Sequence, residues 1–243
     1  MSGKGKNAID MTGGSLWKNI LVFSLPLMMT QMLEVLFNLS DVAIAGKYAD
    51  YIALGAVGST ALLVSLFTGI LIGMGAGVNV RTAHQLGAEK TSGSSETVAR
   101  TVYSGLIVCL IIGIILCLVC NIFARPMLET LKTKDELIES AVLYLKIYAL
   151  GMPAMAVYNF GNGVLSACGE TKKPLVYLSI AGVLNVILNI FFVVVCKKAA
   201  DGVAIASVIA QYLSASMIMC HLLRRKDSCK LRLSNKYFDT SAC

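Results

Sequence analysis

Long apolar stretches are the feature that most limits what this chain can fold into. Six of them can be drawn, at about 19–45, 52–79, 102–123, 137–166, 175–195 and 202–223. Each is near or beyond the roughly 20 residues that a helix needs to cross a hydrocarbon core. Because lipid admits only helices and closed barrels as spanning structures, the pattern predicts an all-α fold, a polytopic bundle of six transmembrane helices.

Composition and charge agree with this prediction. Only 14% of the residues are charged, whereas a soluble domain has roughly 25%. Fourteen Lys and Arg residues lie at the N-terminus, the second and fourth connections and the tail, against six in the other connections. The positive-inside rule therefore predicts that both termini are cytoplasmic, in a plasma membrane of the bacterial kind. The net charge of +7 is assigned to this topology, and no nucleic acid partner is expected.

The domain organisation follows from the same stretches. Residues 1–223 are predicted to form one transmembrane lobe. The tail 224–243 holds six Lys and Arg residues and few apolar ones, so it cannot form a seventh span. We expect a basic cytoplasmic connector that stops before the unit it should join.

The cysteines lie mostly inside the apolar stretches, at Cys109, Cys117, Cys120, Cys168, Cys196 and Cys220. This distribution favours packing over a disulfide framework. Cys117 and Cys120 form a CxxC without a second pair or a nearby histidine, so a metal or redox site is disfavoured.

A polar face runs along the first span. Gln31, Glu34, Asn38 and Asp41 follow i, i+3, i+7, i+10 spacing and so share one side of a helix within roughly 80°. An ionisable residue in a membrane helix normally faces the bundle interior or a wet cavity, which makes this face a candidate functional site. The alternative is that Asp41 lies at the membrane interface. The spacing leaves open which of the two acids matters more.

Spans five and six carry possible partners for Asp41. Asn185 and Asn189 share one face of span five, and Ser207 lies in span six. With the predicted topology, Asn189, Ser207 and Asp41 have similar depth. A carboxylate with amide and hydroxyl oxygens suits a proton or a hard cation such as Na⁺. The alternative is that these amides and hydroxyls join helices.

Prolines and further amides suggest where a cavity is lined. Pro26 and Pro153 interrupt spans one and four, and a proline can kink a helix and free backbone groups. The candidates for lining a substrate cavity are Gln31, Asn38, Pro26, Asn159 and Asn162.

Small residues on span two point to packing. Gly69, Gly73 and Gly77 stand in tandem GxxxG spacing, which predicts a close helix contact there.

Enzyme signatures are absent from the sequence. It has two histidines, His84 and His221, and no HExxH, P-loop or GxSxG motif. Metal hydrolysis and ATP-driven transport therefore lack their residues. We expect no enzymatic activity and no cofactor beyond a coupling ion, which leaves transport driven by an ion gradient.

Several motifs, in order and together, resemble the multidrug and toxic compound extrusion (MATE) family from about Leu16 to Leu223. LFNLSDVAIAG is similar to its first-helix motif and GMGAGVNVRTAHQLGA to the end of its second helix. YLKIYALGMP and LSACGETKKPL are similar to its fourth helix and the following loop, and GVAIASVIAQ to its sixth helix.

The resemblance implies an antiporter that expels cationic or amphipathic compounds in exchange for H⁺ or Na⁺. It implies that Asp41 is the protonation or ion site, with Asn185, Asn189 and Ser207 as partners. Asn189 stands where many relatives have Asp, which favours protonation over Na⁺. The position of Glu34 is commonly uncharged in relatives, so Glu34 either provides a second proton site or sets a substrate preference of this chain.

Family members have two six-helix lobes, so the resemblance implies that this chain supplies the amino-terminal lobe. Its partners would be a second lobe, membrane lipid and cationic small molecules. Three alternatives remain: a half-transporter that needs a partner lobe, a non-transporting remnant or interaction subunit, and a flippase for lipid-linked precursors.

Overall fold

The computed structural model describes residues 16–92, 95–225, 229 and 231. Its helices are α1 (Leu16–Tyr48), α2 (Tyr51–Ser92), α3 (Ser95–Thr130), α4 (Asp135–Ala149), α5 (Met152–Ala167), α6 (Lys172–Ile190) and α7 (Ala200–Arg224), and a π-helical segment, Phe191–Val195, continues α6. No strand occurs within the described ranges. The predicted all-α class is confirmed.

The helices have the lengths and composition of membrane spans. Among the described residues, five helices are long and apolar enough to cross a membrane. Helices α4 and α5 are bent by 45° relative to each other, and they give a sixth span if the pair crosses the membrane as one unit. Each predicted span lies within these elements, but α2 and α3 continue into the polar segment 81–100, which the sequence placed in a connection. Helical hydrogen bonds need no apolar side chains, so a helix can extend beyond the hydrocarbon.

The two prolines expected to interrupt spans behave differently. Pro153 lies in the first turn of α5, at the break after α4. The carbonyl of Leu150 in this break accepts a hydrogen bond from the Tyr212 hydroxyl, at 3.1 Å. At Pro26 the helix α1 continues unbroken, and the Thr30 hydroxyl donates to the Pro26 carbonyl at 2.9 Å.

Helix α2 packs against α5 through glycines that the sequence reading did not select. A Cβ added to Gly163 would lie 2.3 Å from the carbonyl oxygen of Gly75. By contrast, a Cβ on Gly69, Gly73 or Gly77 would meet no atom of the described residues within 4 Å. Within the described helices those three glycines do not form the close contact, because their side of α2 is turned away from the other helices.

The end of α5 is closed by a tight turn and an ion cluster. Gly169 has φ 79°, a left-handed conformation that glycine adopts without strain. The following carboxylate, Glu170, is 7% exposed. It lies 2.8 Å from Lys173 Nζ and 3.4 Å from Arg225 Nη1, so α7 ends against this turn.

One cysteine pair departs from the packing prediction. Cys168 and Cys229 form a disulfide, because the turn after α5 carries Cys168 out of the apolar stretch to the start of the connector. The other described cysteines, Cys109, Cys117, Cys120, Cys196 and Cys220, are free. Most of the predicted connector, at 226–228, 230 and 232–243, lies outside the described residues.

Candidate functional site

Asp41 lies where α1, α6 and α7 meet, and it is 3% exposed. Its Oδ1 accepts a hydrogen bond from Asn189 Nδ2 at 2.6 Å. Its Oδ2 accepts one from Ser207 Oγ at 2.7 Å. Each carboxylate oxygen therefore has a donor from a different helix.

Asn185 completes the network around this carboxylate. Its Oδ1 accepts from Asn189 Nδ2 at 3.2 Å, and its Nδ2 donates to Ser207 Oγ at 3.2 Å. All four side chains are buried. The structure confirms the expectation that Asp41, Asn189 and Ser207 lie at similar depth and brings their side chains together. Their role in ion coupling stays a prediction.

Local helix geometry positions the two asparagines. Asn185 and Asn189 are one turn apart on α6, and the π-helical segment Phe191–Val195 follows directly. Such segments widen a helix locally and are frequent near functional sites. The apolar run FFVVV gives no sequence signal for it, so the sequence reading missed it.

A cavity of about 70 Å³ lies beside the network, enough for several water molecules. Residues from α1, α2 and α4 to α7 line it: Glu34, Phe37, Asn38, Asp41, Thr68, Tyr148, Met155, Tyr158, Leu178, Ala181, Gly182, Asn185, Ser207, Ala210, Gln211 and Ser214. The sequence reading missed Tyr148 and Gln211. Gln211 stands one helical turn after Ser207, which is a spacing that could have identified it.

The remaining candidates lie elsewhere in the described structure. Gln31 is exposed, Pro26 is buried, and neither is among the residues that line this cavity. Asn159 is buried and donates to the Met155 carbonyl at 3.0 Å. Asn162 accepts from Ser166 Oγ at 3.3 Å. The structure brings Glu34, Asn38 and Asp41 to one cavity, and contact of the other candidates with a substrate stays a prediction.

Among the described residues, the oxygen atoms of the Asp41 network are the ligands that the candidate site offers to a metal ion. The described residues contain no group of three or more His, Cys, Asp or Glu side chains that could hold a metal ion. Asp41, Asn185, Asn189 and Ser207 offer oxygen ligands of the kind Na⁺ accepts. Each Asp41 oxygen already accepts one hydrogen bond, from Asn189 or from Ser207, so Na⁺ would have to use the remaining lone pairs or displace a donor.

The apolar helices have the lengths of membrane spans and surround a buried carboxylate network, which defines a multi-pass membrane protein. Over residues 26–191 the chain matches the family described as MatE, and it belongs to that family. The resemblance inferred from the motifs is confirmed.

Known relatives give the extent of the similarity. The chain is 27% identical over 221 residues to "Probable multidrug resistance protein YpnP" of Bacillus subtilis. The alignment covers 90% of this chain and 48% of that protein. It is 25% identical over 203 residues to "DNA damage-inducible protein F" of Escherichia coli, covering 84% of this chain and 43% of that one. The chain thus spans about half the length of the curated relatives it matches.

Solved structures agree with a one-lobe match. A multidrug resistance MATE family transporter in an outward-facing conformation superimposes with a TM-score of 0.83 at 22% identity, covering 98% of this chain and 51% of that one. An inward-facing conformation of a MATE transporter gives a TM-score of 0.77 at 21% identity, covering 89% of this chain and 49% of that one. The fold is that of one half of a MATE transporter.

Proposed function

We propose that the chain supplies one lobe of a secondary active multidrug efflux antiporter. Cationic or amphipathic compounds would leave the cell while H⁺ or Na⁺ enters. The observation that carries this proposal is the carboxylate of Asp41, buried in a MATE fold and bonded to Asn189 and Ser207.

The chemistry of this network supports coupling to a proton. An ionised carboxylate only accepts hydrogen bonds, whereas a protonated one also donates. Protonation of Asp41 would turn one acceptor oxygen into a donor, and the Asn189 amide or the Ser207 hydroxyl facing it would have to rotate. Because these donors come from α6 and α7, the change would alter the packing of three helices at once.

Na⁺ is the less favoured ion. The network has one carboxylate, and its two oxygens already accept short hydrogen bonds from protein donors. A bound Na⁺ would share these oxygens with the donors or displace a donor, with amide and hydroxyl oxygens supplying further ligands. A proton needs only that one of the two donors facing Asp41 rotates.

The setting of this function is also part of the proposal. The lobe would work with a second six-helix lobe in the plasma membrane, with both termini in the cytoplasm and no cofactor besides the ion. The proposed activity is transport, with no enzymatic step.

Transport in inside-out membrane vesicles tests the proposal. Vesicles from cells that make the protein should take up ethidium when a proton gradient, acidic inside, is imposed, and vesicles from cells without it should not. Nigericin should abolish the uptake if H⁺ drives it. Uptake that survives nigericin but follows an imposed Na⁺ gradient would assign the coupling to Na⁺. Translocation of a lipid-linked precursor without dye uptake would instead support the flippase alternative.

A further inference from the structure

We propose that Cys168 and Cys229 are a reversible redox pair, through which a low-molecular-weight disulfide of the cytoplasm ties the connector to the lobe. The structure holds the pair in its closed, oxidised form. The inference uses the predicted cytoplasmic position of both cysteines and is independent of any transport activity. Only its consequence for a second lobe rests on the proposed function.

The first observation is the place of the bridge in the fold. It joins two cysteines 61 positions apart in the sequence. Cys168 directly follows α5, and Cys229 lies five residues beyond the end of α7. The charge distribution predicts that both segments, the fourth connection and the tail, are cytoplasmic. Thiols in the cytoplasm are kept reduced, and the disulfides that form there are usually transient, catalytic or redox-sensing. We therefore expect this bridge to open and close.

The second observation is an ion pair that keeps the two cysteines near each other. Glu170, two residues after Cys168, lies 3.4 Å from Nη1 of Arg225, which stands four residues before Cys229. Both charged side chains are largely buried. Contacts that hold two groups together raise the effective concentration of each for the other. The opened pair can therefore close again without a large rearrangement of the lobe.

The third observation is the way in which the connector folds back over the end of α7. The amide of Leu231 donates to the carbonyl of Leu222 at 3.4 Å. Cys229 and Leu231 are buried in one apolar cluster with Leu222 and Ile218 of α7. Apart from the bridge, the described contacts of this segment are apolar packing and one long hydrogen bond, which local opening can break at low cost. The bridge therefore decides whether the segment stays on the lobe.

The two cysteines differ in exposure. Cys168 is partly exposed, whereas Cys229 is buried. Cys168 can therefore react with solutes while the connector is in place, and Cys229 can do so when the connector lifts. Cys220, near the end of α7, is exposed and free, so it provides an unbridged thiol for comparison.

Closure is a thiol–disulfide exchange in which atoms and electrons balance. The thiolate of Cys168 attacks oxidised glutathione, the S–S bond of glutathione breaks, and one glutathione leaves and takes up the proton that Cys168 lost. The thiolate of Cys229 then displaces the second glutathione, which takes up the proton from Cys229. The two cysteines lose two electrons, and the two glutathione sulfurs gain them. Reduced glutathione reverses both steps.

Closure shortens the part of the connector that can move. With the bridge open, the connector can lift from the lobe beyond Arg224, the last residue of α7. With the bridge closed, it is free only after Cys229. Five extended residues span about 17 Å, and closure removes that reach. In the proposed transporter, the oxidised connector would restrict the movement of a second lobe relative to this one.

Glutathione titration of the whole chain in phosphatidylcholine nanodiscs tests the pair. Samples are quenched in acid, and free thiols are blocked with N-ethylmaleimide. Mass spectrometry of the peptides then separates the Cys168–Cys229 bridge from glutathione adducts. We expect the bridge in oxidised glutathione, its loss in reduced glutathione and a reversible transition between them. A bridge that survives reduced glutathione, or never forms in oxidised glutathione, would overturn the inference.

Matched variants test the hold on the connector. The sequence has trypsin sites after Lys226 and Lys230, on either side of Cys229. Because proteolysis follows how often a segment opens, oxidation should slow cleavage there about tenfold. Cys168→Ser should be cleaved at the fast rate in both buffers, and Cys220→Ser should behave as the wild type. Equal cleavage rates for the oxidised and reduced wild-type chain would contradict the hold, and this comparison requires no variant to fold.

Acid-trapped cells show whether the pair responds in place. The bridge should be largely absent in growing cells, form after treatment with diamide and disappear on recovery. A bridge already complete in growing cells would identify a permanent structural disulfide and overturn the inference. None of these measurements detects transport. A reversible pair in a chain that drives no ethidium uptake would contradict only the antiport proposal, and uptake by a chain with a permanent bridge would contradict only this inference.

Discussion

At the residue scale, the two oxygens of Asp41 determine what the buried network can do. Each has one donor, and the two donors stand on α6 and α7. A charge-assisted hydrogen bond contributes about 1.5–3 kcal/mol, so the loss of either donor would change the protonation of Asp41 measurably. The network links the charge of one side chain to the arrangement of three helices.

Ser207 offers the cleanest residue-level test of this link. Ser207→Ala removes the hydroxyl that donates to Asp41 Oδ2 at 2.7 Å, whereas Ser207→Thr retains it. We expect Ser207→Ala to reduce proton-driven ethidium uptake about tenfold, because about 1.4 kcal/mol corresponds to a factor of ten. Ser207→Thr should stay within about twofold of the wild type. Equal uptake by the alanine and threonine variants would contradict the role of the hydroxyl.

Sequence spacing predicted part of this site. The i, i+4 pair Asn185 and Asn189 and the matching depth of Ser207 placed the network correctly around Asp41. Spacing alone also put Gln31 on that face, but its side chain is exposed. The polar face is wide, and the helix orientation that selects which members meet the cavity is set by packing against α6 and α7.

At the element scale, the crossing of α2 and α5 depends on glycines that bring two backbones together. The added Cβ at Gly163 would meet the Gly75 carbonyl oxygen, and a backbone atom cannot rotate away as a side chain can. Asn159 occupies the same crossing, with its carbonyl oxygen 2.6 Å from a Cβ added to Gly75. This contact holds the second half of the bent span, α5, against α2.

A pair of glycine substitutions tests the crossing. Gly163→Ala should lower the stability by about 1–3 kcal/mol or more, as overpacking in a filled core does. Gly73→Ala, whose Cβ would meet nothing within 4 Å, should have little effect or a slight stabilising one, because alanine favours the helix. Thermal unfolding in detergent compares the two. Equal unfolding midpoints for the two variants would contradict the close contact between α2 and α5.

The sequence predicted the positions of the helices along the chain better than it predicted which helix faces contact each other. Six apolar stretches located the spans, because hydrophobic length is set by the membrane itself. The GxxxG pattern selected Gly69, Gly73 and Gly77 because it records spacing along a helix. It holds no information about which side of α2 meets α5, and the close contact belongs to Gly75.

At the scale of the whole molecule, the lobe leaves a large apolar surface uncovered. Most of α1 is exposed, including Leu25, Met32 and Leu39, and the Gly69–Gly73 side of α2 has open space. Membrane lipid and a second lobe are the two covers that the proposed transporter would provide. The match to about half of each solved MATE chain is in keeping with that arrangement.

The predicted orientation can be tested with a native cysteine. Cys196 is free and exposed in the connection between the π-helical segment and α7, on the side predicted to be extracellular. A membrane-impermeant maleimide added to intact cells should label it, and Cys196→Ser should remove that label. Labelling of Cys196 only after permeabilisation would mean that the orientation is inverted.

The most direct measurement of the central claim is proton-driven ethidium uptake by inside-out vesicles that contain Asp41→Asn. Asparagine keeps the size of the side chain but cannot exchange a proton near neutral pH. The account predicts that uptake falls at least tenfold, that an imposed proton gradient no longer stimulates it, and that Asp41→Glu retains part of the activity. Gradient-driven uptake at the wild-type rate in a folded Asp41→Asn protein would contradict the assignment of Asp41 as the coupling acid.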